Sequence, residues 1–136
     1  MEPLLRVSRL DHVGLAAPAP ATPLTQALGA APAGIPMPSG VTVARFGPAG
    51  ALELVWPGRA GTPVDGFLAR RGPGLHHVAL QVDEELAPLA RRLEAGGLTL
   101  VGGIEQSSDG RPCVFLHPRG TGGVLVELVQ GVRPHA

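Results

Sequence analysis

The sequence predicts an α+β domain built from two βαβββ modules that pair around a shared interior. Three observations predict it. A strand-like stretch occurs twice, as Leu10-Asp11-His12-Val13-Gly14-Leu15-Ala16-Ala17 and as Leu75-His76-His77-Val78-Ala79-Leu80-Gln81-Val82, with His12 and His77 65 positions apart. A second echo, Leu52-Glu53-Leu54-Val55 and Val126-Glu127-Leu128-Val129, sets one acid inside each of two apolar strands, 74 positions apart. Between each His strand and its Glu strand lies one helical stretch and room for two more strands. A unit of this size seldom buries its sheet alone, so the two halves are expected to pair as one domain, with modules at about 8–57 and 74–131.

The first module opens with a strand near 8–17, which Pro18 and Pro20 end. Thr22-Pro23 has the form of an N-cap followed by proline at the first helical position, and the helix 22–29 closes on Gly29-Ala30. Residues 31–40 are rich in Pro and Gly and hold at most a short irregular edge strand. Val41–Phe46 alternates, Gly47-Pro48-Ala49-Gly50 turns, and Ala51–Trp56 returns as its hairpin partner. A linker follows, in which Thr62-Pro63 starts a helical turn through Gly66-Phe67-Leu68-Ala69.

The second module repeats the plan. Val78, Leu80 and Val82 alternate onto a core face, while His77, Ala79 and Gln81 take the other, like a cavity wall. Asp83 is placed to cap a helix whose Leu86, Leu89, Ala90 and Leu93 form one apolar stripe, and Gly96-Gly97 ends it. Strands near 98–104, 112–117 and 123–130 complete the module.

At 136 residues the length suits one domain with a real core. Net charge is zero, which gives no electrostatic footprint for nucleic acid or an anionic membrane. The single cysteine, Cys113, excludes an intrachain disulfide and suits a reducing compartment. The first residues lack a basic segment followed by an apolar run, and no apolar run reaches membrane-spanning length, so a cytoplasmic setting is expected.

The chemistry resides in the repeated polar residues. Two His and two Glu, one of each per module, lie on strands among small or apolar neighbours. Two buried carboxylates facing one interior need a counter-charge, and no basic residue neighbours either Glu along its own strand face. A divalent cation with two imidazoles and two carboxylates would meet the need and leave positions open for water or substrate. His76 faces away from His77 and reads as a strand-entry residue. Cys113 reads as inert filling. Gly120-Thr121-Gly122-Gly123 reads as a hairpin turn before an anion cradle.

The chain resembles the vicinal oxygen chelate (glyoxalase-like) superfamily, and within it methylmalonyl-CoA epimerases. The resemblance is carried by Leu10–Ala16, by Gly74–Ala79 and above all by Phe115-Leu116-His117-Pro118 through Gly122-Gly123-Val124-Leu125-Val126-Glu127-Leu128. It implies a glyoxalase-like metal-binding cup whose ligands fall on His12, Glu53, His77 and Glu127. The implied ion is divalent, cobalt foremost, with nickel, manganese or zinc as alternatives. It also implies an acyl-CoA thioester as substrate, a homodimer, and epimerisation by moving the proton alpha to the thioester. Glu127 is then the catalytic base, Ser107 and Ser108 the loop residues that hold the substrate carboxylate, and His117 either a loop anchor or a substrate contact. The family often has Gln where this chain has Glu53. It also commonly places a Glu just before the Gly-Val that opens the third strand, whereas Pro36-Met37-Pro38-Ser39-Gly40-Val41 carries no acid here. Since the ligand set is shared, a glyoxalase I-type lyase, an extradiol-type dioxygenase and a non-catalytic small-molecule-binding protein of the same fold stay open alternatives.

Overall fold

The computed structural model describes residues 2–29 and 33–131. Residues 30–32, which include the expected end of the first helix, lie outside them. Two compact units emerge. One is His12–His76, and the other joins the described residues of Met1–Asp11 to those of His77–Ala136. Each unit is a βαβββ module, and the fold class is α+β, as the repeat predicts.

In the His12–His76 unit the strand order is β2-β3-β4-β1, from β2 (Ile35–Pro36), β3 (Val41–Phe46), β4 (Leu52–Pro57) and β1 (Arg9–Ala16). β1 runs parallel to β4, with Gly14 beside Glu53, and β3 runs antiparallel to β4, with Arg45 opposite Glu53. This register puts His12, Glu53 and Arg45 on one face, because side chains alternate along each strand. Ala16, Val41, Val43 and Val55 continue that face, and α2 (Pro63–Arg71) packs on it through Val64, Phe67 and Leu68. The expected helical turn at Thr62-Pro63 is thus a nine-residue helix. Thr62 and Asp65 form its reciprocal capping box, with Asp65 accepting from the Thr62 N–H at 2.7 Å. The opposite face holds Leu15, Ala17, Ala44, Leu54 and Trp56.

α1 (Pro23–Ala27) is capped as expected, since Thr22 and Thr25 bond reciprocally, but it spans only five residues. So short a helix covers little of its sheet. Leu24 and Leu28 stay exposed, and a cavity of about 260 Å³ opens between α1 and the sheet, lined by Leu15, Ala17, Phe46, Leu52 and Leu54 among others.

The second unit has the order β5-β8-β7-β6, from β5 (Gly74–Val82), β8 (Leu125–Gln130), β7 (Pro112–Leu116) and β6 (Leu100–Gln106). The outer helix here is complete. α3 (Leu86–Ala95) buries Leu86, Leu89, Ala90 and Leu93, three of which pack with Val82, Val114, Leu116 and Leu128 into the main apolar cluster. The stripe was therefore legible, but its cap was not. Glu85 occupies the N-cap, and Asp83 instead accepts from the Gln81 side-chain amide at 3.3 Å. Residues 2–11 join this unit through main-chain and side-chain bonds. Ser8 N–H donates to the Gln81 carbonyl at 2.9 Å, and Arg92 donates to the Leu4 carbonyl at 3.1 and 3.2 Å.

Candidate metal centre

Each unit presents one buried histidine–glutamate pair. In the first, His12 Nε2 lies 3.7 Å from Glu53 Oε1, and both side chains are almost wholly buried. The parallel pairing of β1 with β4 creates this approach. It sets Gly14 beside Glu53, so no side chain there stands between the acid and the imidazole two residues earlier. In the second, His77 Nε2 lies 3.5 Å from Glu127 Oε1 and both are again buried. Here Ala79 is the small residue beside the acid. The repeat thus extends from sequence to register.

These separations are too long for good hydrogen bonds. They suit two atoms that each ligate one ion: ligands about 2.1 Å from a metal and about 90–120° apart stand roughly 3.0–3.6 Å from one another. Imidazole nitrogens with carboxylate oxygens are also a donor set that borderline divalent ions accept. The residues fit the group.

The surroundings of the two acids differ. Arg45 Nε donates to Glu53 Oε2 at 3.3 Å. The expectation that no basic residue neighbours Glu53 along its own strand face holds, but it does not extend to the facing strand. The counter-charge of Glu53 comes from that strand, and antiparallel pairing across a hairpin sets residues eight positions apart opposite one another. The position facing Glu127 is Phe115, whose ring meets the His77 ring edge to face at 6.0 Å. Cys113 is buried among Ala79, Val129 and Phe115, the packing role expected of it.

The three residues expected to touch substrate have other partners. Ser107 is buried, and its hydroxyl donates to Asp109 Oδ1. Asp109 in turn takes the Arg111 side chain at 2.8 Å, and Arg111 makes a two-pronged bond to Asp11 at 2.8 and 3.0 Å. Burial alone would raise the Asp109 carboxyl, but bonds from the Arg111 guanidinium, the Ser107 hydroxyl and the Arg111 N–H outweigh it and bring it to about 2. Arg111 is raised above its usual value, chiefly by Asp11. Ser108 is half-buried beside this network. His117 caps the 3-10 turn Pro118–Gly120, its Nδ1 accepting from the Arg119 N–H at 3.0 Å, which is the loop-anchoring alternative of its two expected roles. His76 stacks edge to face on Phe67 at 5.0 Å.

Sequence reasoning missed Arg45, Asp11 and Arg111. Arg45 was findable from hairpin register. The Asp11–Arg111 pair spans 100 positions and has no local signal.

The fold and the paired His–Glu strands define a member of the glyoxalase-like α+β class. No protein-family model matches the chain. Individual relatives do. The chain is 38% identical over 133 residues to the ethylmalonyl-CoA/methylmalonyl-CoA epimerase of Cereibacter sphaeroides, covering 91% of this chain and 98% of that protein. It is 33% identical over 135 residues to the mitochondrial methylmalonyl-CoA epimerase of Mus musculus, covering 94% of this chain and 76% of that one. A solved methylmalonyl-CoA epimerase in complex with methylmalonyl-CoA and ammonium superposes with a TM-score of 0.78 at 28% identity, covering 95% of this chain and all of that one. The chain belongs to the methylmalonyl-CoA epimerase family.

Proposed function

We propose that the protein interconverts (R)- and (S)-methylmalonyl-CoA, with His12, Glu53, His77 and Glu127 as ligands of one divalent metal and Glu127 as the base. The observation that carries this is the pair of buried His–Glu couples at matching repeat positions, in a chain whose relatives are epimerases. A metal bound there would supply Lewis acidity for the charge that develops on the thioester oxygen. Glu127, buried beside the apolar Phe115 and Ala79, is the residue of this chain that removes the C2 proton from one face, and inversion is completed by a solvent-derived proton delivered to the opposite face of the enolate.

The finer reading takes cobalt as the ion, by family resemblance, and the two modules as one working domain. It also takes the protein as a cytoplasmic homodimer. The exposed strand residues Leu10, Leu75, Val101 and Ile104 suit a self-contact, and the single buried thiol Cys113 suits a reducing setting. Among the described residues, no helix is long and apolar enough to cross a membrane.

The test is to incubate one epimer of methylmalonyl-CoA with cobalt-loaded protein and follow the other by chiral chromatography. Interconversion is expected, and Glu127→Gln should slow it about a hundredfold or more, the usual contribution of a general base. Absence of interconversion by protein that carries its metal would refute the reading.

A further inference from the structure

The two proposed acid ligands occupy equivalent strand positions, yet the structure surrounds them differently. Glu53 is held from two sides, its Oε1 turned to His12 and its Oε2 bonded by Arg45. Arg45 is itself largely covered, with 18% of its side chain exposed, and its stem lies against Gly50 in the β3–β4 turn. Gly50 has φ +66°, so the backbone there takes a form that L side chains rarely adopt, and a Cβ would meet Arg45 Cδ at 3.1 Å. The turn is thus shaped to seat the arginine. Glu127 faces Phe115 at the matching position.

The geometry points to Arg45 as a positioning residue that makes Glu53 a charge-compensated ligand. Resting on the metal reading above, this assigns the pair Arg45–Glu53 the electrostatic value of one neutral donor. Its role is threefold. It fixes which oxygen of Glu53 is presented, because Oε2 is taken by the guanidinium. It keeps the four-ligand set at one net negative charge instead of two, so that a bound divalent ion retains charge with which to polarise an anionic substrate's thioester oxygen. It also differentiates the two repeat-equivalent acids, leaving Glu127, across from an aromatic ring, as the one suited to proton transfer.

The consequence runs against simple expectation. Replacing Glu53 by Gln conserves shape and one donor oxygen, but it strands a buried arginine cation within a few ångströms of the metal. E53Q should therefore weaken metal binding, and R45M, which frees the full charge of Glu53, should strengthen it. Each change should be about tenfold or more, since unit charges several ångströms apart at a partly buried site interact by a few kcal/mol. The double variant R45M/E53Q should return to within a few-fold of the wild type, and R45K, which keeps the charge, should stay near it.

The experiment is calorimetric titration of cobalt(II) into metal-free wild type, R45M, R45K, E53Q and R45M/E53Q, with the thermal midpoint of each metal-free protein measured alongside. The midpoints close a double-mutant cycle that does not involve the metal, and the double variant should lose less than the two single losses together. Tighter cobalt binding by R45M, accompanied by slower turnover, is the expected result. If the wild type binds cobalt and R45M binds it no more tightly, or if the midpoint losses simply add, the inference is overturned while the metal reading stands. If the wild type takes up no cobalt, the metal reading itself is overturned, and the role assigned to Arg45 goes with it.

Discussion

Arg111→Met removes the guanidinium that holds the buried carboxylate of Asp11. Arg111 holds Asp11 by two bonds of 2.8 and 3.0 Å, and the Asp11 side chain is only 2% exposed. Removing the guanidinium takes the two-pronged partner from a carboxylate in the interior, where Arg9, 3.8 Å away and half exposed, also approaches it. Breaking one side of a buried pair typically costs 3–5 kcal/mol. Arg111 is itself 18% exposed and Arg9 can move closer, so about 2–4 kcal/mol is the expected loss. A chain of this length unfolds with an entropy of about 0.29 kcal/mol/K, so each kcal/mol moves the midpoint by roughly 3–4 °C. The variant should melt about 7–14 °C lower by calorimetry. A second signature lies in acid. Asp109 has a folded value of about 2 against an ordinary 3.8, so its contribution is present above pH 4 and is lost as the pH falls from about 4 to 2. In Arg111→Met the bonds that lower Asp109 are mostly gone, and that part of the acid limb should flatten. A midpoint within 2 °C of the wild type, with an unchanged acid limb, would refute the claim that Arg111 stabilises the buried Asp11 and Asp109 carboxylates.

Other perturbations have equally direct readouts. His12→Ala and His77→Ala should each abolish cobalt binding by titration, and full metal content in both would sink the ligand assignment. Chelation should lower the thermal midpoint of the wild type, because two buried carboxylates lose their counter-ion, and added metal should restore it by mass action. Leu89→Ala, at a position with no exposed surface, should cost about 2–5 kcal/mol in denaturant titrations with its slope unchanged.

The legible parts of the chain were those written in short-range pattern. The repeat of His12 and Glu53 in His77 and Glu127 disclosed both modules, and period-two alternation located β1, β3 and β5 to within a few residues, whereas β2 lies in a stretch read as at most a short irregular edge strand. The α3 stripe announced its own burial. The cap of α3 was misread because the N-cap falls on Glu85, a type that caps poorly and makes no side-chain cap bond, while the Gln130 amide oxygen on β8 accepts from the Leu86 N–H at 3.3 Å. The helical turn expected from Thr62-Pro63 through Ala69 ends two residues short of α2, whose only fully buried residue among those described is Val64. Contacts set by tertiary register were the least legible. Arg45 reaches Glu53 across a hairpin, and Arg111 reaches Asp11 across 100 positions, so neither leaves a periodic trace in the sequence. Ser107 was expected to face the substrate. Its hydroxyl bonds Asp109, which the Arg111 guanidinium also holds, a loop contact that no periodic pattern in the sequence signals.

The central claim is that Glu127 moves the C2 proton at a metal site. The most direct test is proton NMR of methylmalonyl-CoA in heavy water with cobalt-loaded protein. The C2 proton should exchange with solvent, and the exchange should vanish in Glu127→Gln and in metal-free protein. Because the segment Pro36–Val41 carries no acid for the opposite face of the enolate, exchange from one epimer should outpace interconversion of the two. Loss of the C2 signal on those terms is the predicted result. An undiminished C2 signal with the wild-type protein, its metal content verified in the same sample, would contradict the account.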